Sequence, residues 1–256
     1  MLWVSATGGK CCVSVSCFAE RLGSLVTLTP GEHASLNRLE ERERSLRRGG
    51  TLVREKDHGH EMFVLRRGTM MSSVLLDDGS RQILRFMFPG DLLAASTLVY
   101  REATETLTAL TDCVVSPFER PLLAKLIEDH PRLAAVIMVY SQIERAALTD
   151  RLAALGRTSA KARVASILIE IRNRQRMTNP AIEHSFTLGL TQEEIGDATG
   201  LTAVHVNRML RQLEEENLIA REAGRMTFKD ERALARAANY VNRYQGLDLG
   251  WLPRAN

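Results

Sequence analysis

Residues 191–219 read TQEEIGDATGLTAVHVNRMLRQLEEENLI, and this stretch decides how the chain is understood. Thr191 stands where a helix N-cap is wanted, and Glu194 three residues later completes a capping box. Gly200 ends that short helix, and Thr202 caps the next. At 100° per residue, Val206, Met209, Leu210 and Leu213 fall on one face of the second helix. Val204, Arg208 and Arg211 fall on the opposite face, with His205 and Asn207 on its flanks. Ile195, Ala198, Leu201 and Val206 form the inner angle between the two helices. The expectation is a helix-turn-helix.

The outward set explains itself as a reader of DNA. An arginine at 208 suits guanine O6 and N7 in the major groove, and an apolar Val204 on the first turn suits a thymine methyl. Arg211 lies one turn on, where the helix meets phosphate. Asn207 suits a base edge or a phosphate, and His205 the backbone. A merely solvated helix face is the bland reading. It is disfavoured because two capped helices and a glycine turn coincide. Downstream, LIAREAGRMTF reads as a two-stranded wing turning at Gly224, with FTLGL upstream supplying a third strand.

Upstream the texture is β. TLVRE, MFVLRRG, SSVLL, RQILRFMF, TLTAL and CVVSPF are short apolar runs between turn signals, as in a small barrel or jelly roll. Asp77-Asp78-Gly79 is the sharpest hairpin signal. TPGEHASLNRLEERERSL, opened by Thr29 and Pro30, reads as a short helix, and residues 1–28 as irregular.

After His130-Pro131 comes a long helical pattern with a narrow apolar seam of Leu133, Val136, Tyr140, Ile143, Ala147 and Leu155, flanked by Ile137 and Leu152. The seam is read as a dimerisation surface; a helix lying on the barrel is the alternative. SAKARVASILIEIRNRQRM forms the next helix. The predicted organisation is an irregular segment 1–28, a sensor domain 29–130, a dimerisation helix 131–157, a winged helix-turn-helix 158–238 and a tail 239–256. The fold class is α+β: a double-stranded β-helix jelly roll, a long helix and a winged helix-turn-helix.

Composition is compatible with this. Of 256 residues, 45% are hydrophobic and 25% charged, with a net charge of +3, ordinary for a globular protein. No apolar run reaches the roughly 18 residues of a membrane span. The first residues lack a basic segment before their apolar stretch, so no secretion signal is read and a cytoplasmic protein is expected. Four cysteines do not make a disulfide scaffold.

The chain resembles the Crp/Fnr family of bacterial transcription regulators over about residues 30–235. The match is carried by LTQEEIGDATGLTAVHVNRMLRQLEEENLI, and supported by GSRQILRFMFPGDLL and the long helix at 131–156. VHVNR is similar to an alphaproteobacterial subgroup. The resemblance implies a cyclic-nucleotide-binding-like jelly roll, a homodimer on an inverted-repeat operator in double-stranded DNA, and RNA polymerase as a partner. It places base-reading positions on Ala203, Val204, Asn207 and Arg208, with Thr202, His205 and Arg211 completing the DNA-binding set.

Two departures matter. Many family members carry Glu where this chain has Val204, so their operator is not carried over. The cAMP-binding members need a Glu after Gly-Asp/Glu-Leu and an Arg-Ser pair; here the stretches read PGDLLAASTL and Ala103-Thr104. A buried phosphate without a cation is expensive, so cAMP is not expected and the small-molecule effector is left open. No cofactor or metal is assigned. Oxygen sensors of the family hold an iron–sulfur cluster on four cysteines, and Cys11, Cys12, Cys17 and Cys113 share that count. Cys11 and Cys12 are adjacent, however, which disfavours convergence on one cluster. A cluster or a redox-active thiol is the alternative within this class. From another class, a cupin-type metalloenzyme would use His58 and His60, but Val64 and Leu65 stand where a carboxylate is needed, and two ligands do not make a site. No enzyme is expected.

Overall fold

The structure, a computed structural model, describes residues 16–255. It opens with α1 (Cys17–Gly23), capped by Ser16. The carboxylate of Glu40 accepts the Cys17 and Phe18 amides and the Ser16 hydroxyl, at 3.1, 3.0 and 2.6 Å. An acid at a helix N-terminus is stabilising, but this one comes from more than twenty residues away. The expectation of an irregular segment is corrected for residues 17–23, where a distant carboxylate and burial of Phe18, Ala19 and Leu22 make a helix. Residues 1–15, with Cys11 and Cys12, lie outside the described residues.

α2 (Pro30–Arg38) has the reciprocal Thr29–Glu32 capping box. It ends well before Leu46, the last residue of the stretch read as helical. The barrel follows: β1 (Arg44–Leu46), β2 (Thr51–Val53), β3 (Glu61–Arg67), β4 (Met70–Leu75), β5 (Arg81–Met87), β6 (Leu92–Leu93), β7 (Thr106–Ala109) and β8 (Cys113–Glu119). They form two four-stranded sheets in the orders β1-β8-β3-β6 and β2-β7-β4-β5, all pairs antiparallel. Each of the six apolar runs noted in the sequence holds a strand, and Asp77-Asp78-Gly79 turns the β4–β5 hairpin. Between the sheets lie Phe63, Leu65, Met70, Met87, Leu93, Leu107, Cys113 and Val115, all buried.

α3 (Arg120–Asp129), in a region the sequence reading left unassigned, leads into α4 (Pro131–Arg157), 27 residues long. Then come α5 (Ala160–Thr178), β9 (Ser185–Thr187), α6 (Gln192–Thr199), α7 (Ala203–Glu215), β10 (Ile219–Glu222), β11 (Arg225–Phe228) and α8 (Glu231–Ala238). β10, β11 and β9 make the three-stranded wing sheet.

One apolar core runs through both halves. Met71, Ile83, Phe86, Phe88 and Leu110 of the barrel region share a cluster with Val164, Ile167, Leu168 and Ile171 of α5 and with the α6–α7 core. At roughly 25 cal/mol per Å² of apolar surface, such continuity seats the C-terminal domain on the barrel. The remaining chain does not trail away. Arg243 pairs with Asp150 at 2.6 Å, Tyr244 bonds Glu144 and Arg174, and the Pro253 carbonyl accepts from Arg132 at 2.7 Å. These partners step from the C-terminal part of α4 to its start, so the segment straps that helix.

Candidate nucleic-acid interface

The two caps predicted from sequence form. Thr191 and Glu194 exchange bonds at 3.1 and 2.7 Å, and Thr202 Oγ1 accepts from the His205 amide at 3.3 Å. Between them Gly200 sits at φ +66°, a left-handed value that favours glycine. Gly196 is the position the sequence reading missed. A Cβ there would run into the carbonyl oxygen of Leu201, so the helices approach this closely only because residue 196 has no side chain. An isolated glycine inside a short helical run is the signal that could have marked it.

Val206, Met209, Leu210 and Leu213 are buried beneath α7, with Ile195 and Ala198 of α6. The opposite face is open. Val204 is 79% exposed, an unusual position for an apolar side chain. Arg208 and Arg211 are exposed, Asn207 is half-buried, and none of the three makes a side-chain hydrogen bond or ion pair among the described residues. His205 is exposed, but its Nδ1 lies 3.1 Å from Thr202 Oγ1, so the ring folds back on the cap. Ala203 is half-buried and Thr202 exposed at the helix start. Val204, Arg208 and Arg211 thus share the open side of α7, with His205 and Asn207 on its flanks and Thr202 and Ala203 at its start. The wing's arginines are engaged inside the chain: Arg221 with Glu214 at 2.5 Å, and Arg225 with Ser185.

The six positions read as a dimer seam are placed differently. Leu133, Val136, Tyr140 and Ile143 are buried within the single chain, the first three in a cluster with α1, α3 and β3. Ala147 and Leu155 are half-buried. The four buried positions are therefore corrected to a core-facing stripe. A second stripe of Ala134, Met138, Ser141, Arg145, Leu148, Leu152 and Leu155 runs down nearly the opposite side in steps of four and three. Met138, Leu148 and Leu152 are 52%, 39% and 71% exposed on it. The sequence shows both stripes; which one the barrel covers is a tertiary matter.

The cysteines occupy separate surroundings. Cys17 packs with α2 and α4 residues, its Sγ 3.6 Å from the Arg66 carbonyl oxygen. Cys113 lies in the barrel interior, bonded to the Thr69 and Thr111 carbonyls at 3.4 and 3.2 Å, and burial pushes its thiol pKa up. His58, which forms an isolated β-bridge with Glu102, and His60 are exposed, and no three His, Cys, Asp or Glu residues among those described are gathered to hold a metal.

Asp91, two residues before Leu93 where the ribose-binding Glu is missing, is the centre of a buried network. It is 1% exposed and bonds Arg174 of α5 through both oxygens; Arg21 of α1 lies 3.5 Å away, and Tyr140 of α4 donates at 3.2 Å. Burial pushes its carboxyl up, but Arg174, Arg21 and the Phe88 amide outweigh that and hold it below the ordinary carboxylate range. Glu144, beside it, is raised by burial and by Asp91. Tyr140 is raised well above the ordinary phenol value by burial, Asp91 and Glu144. Barrel, α1, α4, α5 and the C-terminal strap all meet here. Nearby, Arg81 and Gln82 of β5 bond Asp197 of α6 at 2.8 Å each.

Known proteins place both halves. A Crp-like helix-turn-helix domain matches residues 162–237, and a cyclic nucleotide-binding domain matches residues 43–130. The nitrogen fixation regulation protein FixK of Azorhizobium caulinodans is 32% identical over 177 residues, 68% of this chain and 70% of that protein. The fumarate and nitrate reduction regulatory protein of Yersinia pestis is 27% identical over 237 residues, 91% and 92% of the two chains. Among solved structures, FixK2 from Bradyrhizobium japonicum aligns with TM-score 0.68 at 26% identity, over 77% of this chain and 96% of that one.

Proposed function

The chain belongs to the Crp/Fnr family of DNA-binding transcription regulators, and from that premise we propose that it acts as a homodimer whose paired α7 helices read an inverted repeat. The observation that carries this is the open face of α7. Val204, Arg208 and Arg211 project from a capped helix, and no hydrogen bond or ion pair among the described residues engages the two arginines. Arg208 reads a guanine in each half-site, Val204 meets a thymine methyl, and Arg211 takes a phosphate. Ala203 faces a base edge, Asn207 reaches a base edge or phosphate, and the cap of Thr202 and His205 faces the backbone.

Dimerisation runs along the outward stripe of α4, through Met138, Leu148 and Leu152. Two-fold symmetry then sets the α7 helices about one DNA turn apart, roughly 34 Å. The protein is a regulator rather than an enzyme, works in the cytoplasm and contacts RNA polymerase. The barrel does not take cAMP: Ala103 is buried and its backbone is paired with residues 56 and 57, and apolar side chains fill the space between the sheets.

Selection of bound sequences from random DNA tests the reading, followed by binding of R208A to the selected site and to scrambled DNA. The expected result is an inverted repeat, with about 1–3 kcal/mol of discrimination lost at one guanine per half-site. Equal losses on specific and scrambled DNA would make Arg208 a phosphate contact.

A further inference from the structure

Between the C-terminal half of α4, the length of α5 and the strap after α8 lies a groove of about 910 Å³. That is the size of a small-molecule site. Its walls carry eight arginines against four carboxylates. Five of the arginines are paired: Arg85 and Arg174 with Glu144, Arg151 with Glu170, Arg172 with Glu231 and Arg243 with Asp150. Arg157, Arg163 and Arg176 have no carboxylate partner among the described residues. The groove therefore holds an excess of positive charge that the described residues do not balance.

Arg163 is the most telling of the three. Its Nε is shielded from solvent and has no acceptor, and the only hydrogen bond of its side chain among the described residues is a stretched 3.4 Å contact to the Leu155 carbonyl. The Nε atoms of Arg172 and Arg174, both side chains almost fully buried, also lack acceptors. A guanidinium cannot escape by losing its proton, and shielded donors without partners are costly. An arginine fork is shaped for one kind of partner, the planar or tetrahedral oxyanion. Beside these cations, Ala147, Ala154 and Leu155 give the α4 wall an apolar surface, and Tyr240 lies in the lining. The groove thus offers a cationic end for an anion and an apolar wall for an organic body.

We propose that this groove binds a small organic oxyanion, a phosphate ester or a polycarboxylate, with its charged group on Arg163 and Arg157 where α4 gives way to α5. The site is separate from the interior of the jelly roll. It also touches the DNA-reading unit: Ala198 and Thr199 of α6 line it, and Arg163 Nη1 would lie 3.9 Å from a Cβ placed on Gly200. A ligand drawing Arg157 and Arg163 together would bear on the hinge and on the helix-turn-helix at once, giving the two halves an effector-dependent placement. This names a class of effector for the regulator proposed above, but the binding itself does not depend on that reading.

The test is calorimetry on the full-length protein without DNA, at constant ionic strength, with pyrophosphate, adenosine monophosphate and citrate as probes. At least one is expected to titrate to one site per chain, with R163Q and R157Q each weakening it at least ten-fold and R48Q, in a distant barrel turn, leaving it unchanged. Pyrophosphate or the nucleotide winning would identify a phosphate site, and citrate a carboxylate site. Arg157 is exposed at a helix end, so R157Q decides the matter if R163Q fails to fold. No saturable heat from any probe, or wild-type affinity in R157Q, overturns the proposal. Loss of DNA affinity in R157Q without any anion binding would assign these arginines to DNA phosphates instead, and would leave the reading of α7 intact.

Discussion

Replacing Asp91 with Asn keeps the shape at the centre of the buried network and removes its charge. Arg174 and Arg21 then share a site from which water is excluded, with side chains 7% and 2% exposed. Asn still accepts the 2.9 Å bond from the Phe88 amide, so the loss isolates the ionic part. Breaking one partner out of a buried ion pair costs about 3–5 kcal/mol, because the remaining charge is left uncompensated. At roughly 2.1 cal/mol/K of unfolding entropy per residue, a chain of this length loses about 2 °C per kcal/mol, so Tm should fall by about 6–10 °C. Glu144 limits the loss, since it keeps a 3.1 Å contact to Arg174. D91N with R174M should cost less than the sum of the two single changes, because it removes the stranded charge.

The pH dependence has a definite sign. The folded carboxyl of Asp91 titrates below its unfolded value of about 3.9. Its contribution is therefore complete above that value and is lost as pH falls through the folded value. The difference between wild type and D91N should be constant from about pH 7 to 5 and narrow below about pH 4. Thermal denaturation followed by circular dichroism measures both effects. A Tm change under 2 °C at pH 7, or a gap that widens on acidification, would refute the reasoning.

Three further outcomes can be checked. L152E with M138E should sediment as a monomer with little change in Tm, whereas I143A should stay dimeric and lose about 2–5 kcal/mol of stability, since Ile143 is a core residue; a monomeric I143A would return the interface to the inner stripe. G196A should cost about 1–3 kcal/mol, because its methyl collides with the Leu201 carbonyl, and should lower DNA affinity by disturbing the angle of α7; an unchanged Tm would show that the turn can open. Cys113 should resist iodoacetamide at pH 8 in the native protein, being 1% exposed with a raised thiol pKa, and label fully in urea, as read by peptide mass mapping. Native labelling at the unfolded rate would show a barrel that opens freely.

Where one segment contains its own reasons, the sequence was enough. Thr191, Glu194, Gly200 and Thr202 carry their capping and turn chemistry within a few residues, so the helix-turn-helix and the outward position of Arg208 were readable from spacing alone. The same holds for the strands and for the Asp77-Asp78-Gly79 hairpin, whose alternation and turn residues are local. Other features depend on groups brought together from far along the chain. α1 is held by Glu40, and Gly196 matters only because Leu201 folds back on it. α4 carries two stripes of similar period that both hold apolar residues, and only the packed barrel decides which is core and which is surface. Asp91 is unremarkable in a turn until Arg21, Tyr140 and Arg174 converge on it from three helices. Local propensity and periodicity are properties of neighbours in sequence. Burial, charge pairing and the choice between two faces are properties of neighbours in space, and these only the tertiary structure decided.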